Sequence, residues 1–137
     1  MSIEIERSID IEDAIRNALK DHLTTYCRPL PASYTLPNIL VTQVGGSDEN
    51  KIDTFEVTID ARADTEAAAL EYLRNAIGVL KAAVMDRAKP IRHVVVNSSG
   101  SWGADPVRPD LAMCSARLAI VAHLEKTTIS GGNTNGS

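Results

Sequence analysis

Three histidines, two cysteines and a scatter of carboxylates and serines are the side chains of this 137-residue chain that could do chemistry. Their spacing argues against most of it. His22, His93 and His123 have no partner at the H-x-x-x-H or H-E-x-x-H spacing that sets two imidazoles on one helix face, and they read as surface or sheet residues. Cys27 and Cys114 lack C-x-x-C spacing, so they make neither a zinc site nor a redox pair. Cys114 shares a two-residue period with Leu118 and Ile120 and reads as a small buried hydrophobe. Cys27 falls at the end of a helical pattern with no activating neighbour. Ser98, Ser99 and Ser101 surround a glycine, but a nucleophile elbow needs a strand, a sharp turn and a helix, and no helix follows. Gly45-Gly46 leads into a strand, and Asp48 and Glu49 behind it would repel phosphate, so a hairpin loop is the better reading than a phosphate cradle. Glu56 and Asp60 are four residues apart on one strand, near 13 Å, too far for an acid–base pair, and Asp53 points the other way. These residues give no catalytic, metal or cofactor site.

What remains suits binding. Trp102 is the only tryptophan and falls in a loop, where it either plugs the edge of the core or anchors a partner. Binding hot spots favour Trp, Tyr and Arg, which makes Arg108 and Arg117 further candidates. Asp48 and Glu49 in the first hairpin loop and Glu56 on the wet face of its strand complete the set.

The elements that position these residues follow from periodicity. Residues 9–26 carry Ile11, Ala14, Ile15, Ala18, Leu19 and Leu23 at helical spacing, with Asp10 as cap and Glu12 and Asp13 in the first turn. Residues 28–37 hold three prolines and read as an extended connector. Residues 38–45 and 51–61 read as strands around a polar loop, 45–50. In the second strand Phe55, Val57 and Ile59 share one face, and Thr54, Glu56, Thr58 and Asp60 the other. Residues 64–85 read as a second helix, capped by Asp64 or Thr65, with a stripe of Leu70, Leu73, Ile77, Leu80 and Val84. Its alanines permit close approach to a sheet, and Gly78 suggests another close contact. Residues 91–97 and 111–124 read as strands around a long loop, 98–110. In the last strand Cys114, Ala116, Leu118, Ile120 and Ala122 share a face. From Thr127 to Ser137 the composition is that of a disordered tail. The expectation is a single α+β domain over residues 1–126, a two-layer sandwich in α-β-β-α-β-β order. Two helices cover one face of a four-stranded mixed sheet.

Composition bounds the rest. The net charge is −4, and no Lys/Arg cluster supplies the basic face that nucleic-acid binding requires. The charged N-terminus lacks a signal-peptide core, and no apolar run approaches the roughly 20 residues of a membrane span. A cytoplasmic protein with free thiols and no membrane partner is expected. Aromatic residues make up only 4% of the chain, so Ala, Val, Ile and Leu must fill the core.

Taken together, the N-terminal helix, the connector CRPLPASYTLP, the strand TFEVTIDARA, the Thr-Glu-Ala-led helix and the final SGSWGADPVRPDLAMCSARLAIVAHL resemble the tail terminator, or tail completion, proteins of long-tailed bacteriophages of the lambda type. The resemblance spans roughly residues 9–125 and rests on element order and loop character. It carries no active site. It implies a virion protein that forms a homo-hexameric ring on the tail tube protein, stops tube growth and presents a docking surface to the head–tail connector. DNA would pass through its lumen without sequence-specific binding. A head-closure or head–tail joining protein is the nearest alternative. A small-ligand or enzyme domain of similar fold is a further one, since fold alone does not set function.

Overall fold

The computed structural model describes residues 1–49 and 52–131; the side chains of 47–49 and of Ile52 lie outside that description. Seven strands and two helices run in the order β1 (Ser2–Arg7), α1 (Ile11–Leu19), β2 (Thr25–Cys27), β3 (Asn38–Glu49), β4 (Ile52–Ala63), α2 (Glu66–Ala83), β5 (Ile91–Ala104), β6 (Ala112–His123) and β7 (Glu125–Ser130). The protein is α+β. Five strands form one sheet in the order β2-β3-β4-β6-β5, and β1 pairs with β7 in a separate two-stranded ribbon.

The expected four strands are the antiparallel body of this sheet. The expected count is corrected by β2, which adds a short parallel edge beside β3, Thr25 facing Ile39 and Cys27 facing Val41. That edge comes from residues assigned above to the first helix. The helix stops at Leu19, and Thr25 and Tyr26, one β-branched and one aromatic, follow a strand path instead. Cys27 is therefore a strand residue. The tail is corrected in the same way. Thr127–Ser130 pairs with Ser2–Ile5, and residues 132–137 lie outside the described residues.

Local sequence sets the helix ends. The Asp10 carboxylate accepts from the Asp13 N–H at 3.2 Å, and the Thr65 hydroxyl accepts from the Ala68 N–H at 3.2 Å. Ile11, Ile15, Ala18 and Leu19 of α1 are buried. In α2 the buried face is Ala69, Leu73, Ala76, Leu80 and Ala83. This moves the expected stripe by about one position: Leu70 is 37% exposed and Ile77 lies at the margin. The alanines meet the sheet because only a methyl fits where helix and strands come close. Gly78 faces open space, with nothing near a β-carbon placed there, so the contact expected of it is absent.

Both helices pack on one face of the sheet. Their buried residues join Ile39 and Val41 of β3, Phe55, Val57 and Ile59 of β4, Val94 of β5, and Cys114, Leu118 and Ile120 of β6 in one core. Each fully buried Leu or Ile contributes about 1.5–3 kcal/mol. The Tyr72 hydroxyl accepts the Thr24 N–H at 2.6 Å and ties α2 to the segment that leaves α1. Glu12, in the first turn of α1, ties that helix to the sheet edge: its carboxylate accepts from Arg28 Nη2 at 2.8 Å and from the Gln43 N–H at 2.9 Å.

The two long loops are shorter than expected. β3 runs on to Glu49 and β4 begins at Ile52, with a bulge between Gln43 and Gly45. Residues 50–51 lie outside the described residues. Gly46 faces Phe55 across this hairpin, and a β-carbon on it would stand 2.8 Å from the Thr54 carbonyl oxygen. β5 likewise continues to Ala104, leaving only Asp105–Leu111 as connection. Its register shifts three times, and Gly100 takes φ +81° at the last bulge.

Candidate functional site

The sheet has a second face, turned away from both helices. By register, one row across it holds Thr42, Thr58, Arg117 and Ser98. The next row toward the β3–β4 turn holds Glu56, Ala119 and Val95. Glu56 and Arg117 thus stand on diagonal positions of adjacent strands, both exposed. On the other side of the Arg117 row, the Ser115 hydroxyl donates to the Asp60 carboxylate. Val95 is exposed, and Leu40, Ala119 and Val121 are half-buried. The surface is mixed: short polar side chains, one arginine, one glutamate and scattered apolar groups.

The other expected interface residues are not gathered there. Trp102 is a strand residue, opposite Cys114 on the helix side of edge strand β5, and is 48% exposed. It does not plug the core. Arg108 is exposed in the final connection and pairs with Asp110 at 2.8 Å. The hydrogen bonds of Asp110 to Arg108 hold its carboxyl below the ordinary value and raise the guanidinium above its own. Asp48 and Glu49 lie near the far turn of the β3–β4 hairpin, and their side chains are outside the described residues. The six candidates therefore mark at least three places.

One end of the second face is roofed. The proline connector and the Asp105–Leu111 segment meet over Arg62, which is 5% exposed. Arg62 Nε donates to Asp105 Oδ2 at 2.6 Å, while Asp105 Oδ1 accepts the N–H groups of Val107 at 2.9 Å and Arg108 at 3.0 Å. Burial opposes ionisation of Asp105. The Arg108 N–H, the Arg62 guanidinium and the Val107 N–H outweigh it and hold the carboxyl below its usual range. Sequence reasoning missed this pair. Its signal was the Asp105-Pro106-Val107-Arg108 run, since Asp before a turn bonds the backbone two and three residues on. Arg62 lies one residue past the strand expected over 51–61.

The surroundings of both thiols favour their protonated form. Burial pushes Cys114 up, partly offset by the Ser115 N–H. Burial and then the Glu12 charge push Cys27 up, and its Sγ donates to the Glu12 carbonyl at 3.3 Å. His22, His93 and His123 are all exposed. Among the described residues, no three His, Cys, Asp or Glu side chains converge on a possible metal position. Among the same residues, no helix is long and apolar enough to cross a membrane.

The arrangement offers surfaces for association: the open sheet face, the exposed Trp102 on an edge strand, and the β1–β7 ribbon. In the ribbon Ile3 stands opposite Ile129, both exposed. No protein-family model matches the chain, and no curated protein sequence matches it.

Proposed function

We propose that this chain is a self-assembling structural subunit of the phage tail-terminator kind. It closes into a ring of six on the last ring of a tail tube, ends tube growth and offers its other side to the head connector. The observation that carries this reading is the sheet face that neither helix covers. A ring requires two different patches on each subunit that meet with a closing rotation. That face mixes threonines, Arg117, Glu56 and half-buried aliphatics, offering a neighbour both hydrogen bonds and apolar contact, and arginine is among the residue types enriched at interfaces. The ribbon supports the same reading. A two-stranded ribbon is marginal by itself, and docking the exposed Ile3–Ile129 pair on a neighbour would stabilise it.

Native mass spectrometry and negative-stain imaging, alone and with purified tail tubes, test the proposal. The expected result is a six-membered ring, or a monomer that forms this ring only on tube ends. A protein that stays monomeric and leaves tube ends uncapped overturns it. Imaging that places the protein on the capsid side of the connector would do the same in favour of a head-closure role.

A further inference from the structure

Most arginines of this chain are neutralised within the fold. Arg7, Arg16, Arg28, Arg62, Arg74 and Arg108 each pair with a carboxylate. Arg117, on the uncovered sheet face, pairs with none among the described residues. The other two without such a pair there, Arg87 and Arg92, share one open cavity of about 580 Å³ with His123. It lies where the segment leaving α2 meets the start of β5 and the end of β6. Val84 and Met85 complete its lining, and among the described residues no carboxylate belongs to it. The acid nearest in sequence, Asp86, is engaged elsewhere: it accepts the Ala88 N–H at 3.0 Å and stands 3.9 Å from Lys89 Nζ.

The fold brings the three donors together. The Pro90 carbonyl accepts the His123 N–H at 3.2 Å, which seats the end of β6 beside the entry to β5. Ile91 faces Ala122 and His93 faces Val121, so Arg92 is the extra residue of a bulge, a device that re-aims a side chain. Its Nη2 donates to the carbonyls of Arg87 and Lys89, and its Nε is sealed inside. Nη1 has no partner among the described residues and is not sealed. The guanidinium is thus held in place with one nitrogen open. Arg87 and His123 are exposed.

Two guanidinium charges in one recess repel each other, and an oxyanion between them removes that repulsion. Guanidinium–phosphate bonds are charge-assisted, and even a neutral imidazole adds one N–H. A phosphate monoester carries about −1.5 to −2 charge and three acceptor oxygens, matching two charges and three donor groups. A carboxylate brings one charge and two oxygens. Val84 and the 83% exposed Met85 offer an apolar side to the organic group of an ester. Two arginines on a chain of net charge −4 do not make the continuous basic face that a nucleic-acid strand requires.

We infer that this cavity is a binding site for a small phosphate monoester. Its phosphate meets Arg87, Arg92 and His123, and its organic group lies on Val84 and Met85. The site belongs to one subunit, so it holds whether or not the chain closes into a ring.

The test titrates the full-length ¹⁵N-labelled protein with phenyl phosphate at constant ionic strength. Saturable amide shifts are expected within residues 84–93 and 121–124, with a dissociation constant on the order of millimolar for so small a ligand. Inorganic phosphate should move the same resonances more weakly, and benzoate should bind at least about 5-fold more weakly than phenyl phosphate. Arg87→Gln, at an exposed position, should weaken binding by about 10-fold or more, the effect of one charge-assisted hydrogen bond, and His123→Phe by about 2- to 12-fold, the effect of a neutral one. Arg74→Gln, on α2 and paired with Glu71, should bind as the wild type does. The inference is overturned if no saturable shift appears, if benzoate binds as well as phenyl phosphate, or if Arg87→Gln binds normally. It is also overturned if hexathymidylate binds more tightly than phenyl phosphate with a steep salt dependence, which would make a nucleic-acid strand the ligand. Ring formation is read separately by imaging, so failure of either proposal leaves the other standing.

Discussion

Asp105→Asn is the substitution that the structure makes most consequential. Asp105 is 4% exposed at its side chain and Arg62 7%. One carboxylate oxygen takes Arg62 Nε, and the other takes two backbone N–H groups of the turn. An asparagine supplies only one acceptor oxygen. Whichever way the amide turns, its NH₂ faces a donor, and the guanidinium loses its counter-charge. Breaking a buried pair from one side costs about 3–5 kcal/mol, a large part of the roughly 5–15 kcal/mol that holds a domain together. With a urea slope of about 1–3 kcal/mol/M, the unfolding midpoint followed by circular dichroism should fall by about 1 M or more. The pH dependence has a definite sign. The folded carboxyl titrates below its ordinary value of 3.8. Its contribution is therefore complete above that value and is lost as pH falls through the lower, folded one. The gap between wild type and variant should be constant from neutral pH to about 5 and narrow below 3.8. The double variant Arg62→Met with Asp105→Leu should regain part of the loss, since it leaves no unpaired charge. A cost under about 1 kcal/mol, the value of a surface pair, or a gap unchanged down to acid pH, would refute the reasoning.

Two further predictions follow from the helix face and from the edge strand. Ala76→Leu should destabilise the subunit by about 1–3 kcal/mol through overpacking against the sheet, whereas Leu70→Ala, nearly two turns earlier on the exposed side, should cost no more than about 0.5 kcal/mol; paired urea melts decide, and the reverse order would restore the leucine stripe as the buried face. Trp102→Ala should leave the melting temperature of the isolated subunit within error while weakening ring formation in native mass spectrometry, and a loss of folding would show that the indole belongs to the core.

Much of this fold was readable because its strands alternate and its helices are capped. Phe55, Val57 and Ile59 point inward as their spacing demands, and so do Cys114, Leu118 and Ile120. Asp10 caps the first helix as expected, and Thr65 the second. The misses share a physical origin. Ser98 to Ala104 and Thr127 to Ser130 carry no hydrophobic period, so only backbone pairing with distant partners makes them strands. The phase of α2 departs from the stripe of large residues because close helix–sheet contact selects Ala69, Ala76 and Ala83. The candidate site was legible in Arg117 and Glu56, which alternation places on the face without helices. It was not legible in Arg62, Tyr34 and Asp105, which meet only because two connections separated by some seventy residues of sequence cross over the same strand end.

The free edges indicate how subunits of this shape can and cannot associate. An exposed edge strand is a template for pairing with another chain. The β5 edge of the main sheet is blunted, interrupted by three register shifts and the positive φ of Gly100. On the other side β2 covers only Ile39–Val41 of β3, and the Gln43 N–H beyond it is taken by the Glu12 carboxylate. Continuing the sheet from one subunit into the next is therefore unfavourable along β5. The ribbon strands have open edges, but Glu4 and Glu6 on β1 and Lys126 on β7 set charges along them. In the proposed ring, side chains of the uncovered sheet face and of the apolar Ile3–Ile129 side of the ribbon would make the contacts between copies. Association of that kind fixes orientation by shape and hydrogen bonding. It ends at a defined number of subunits only where the rotation between the two patches closes.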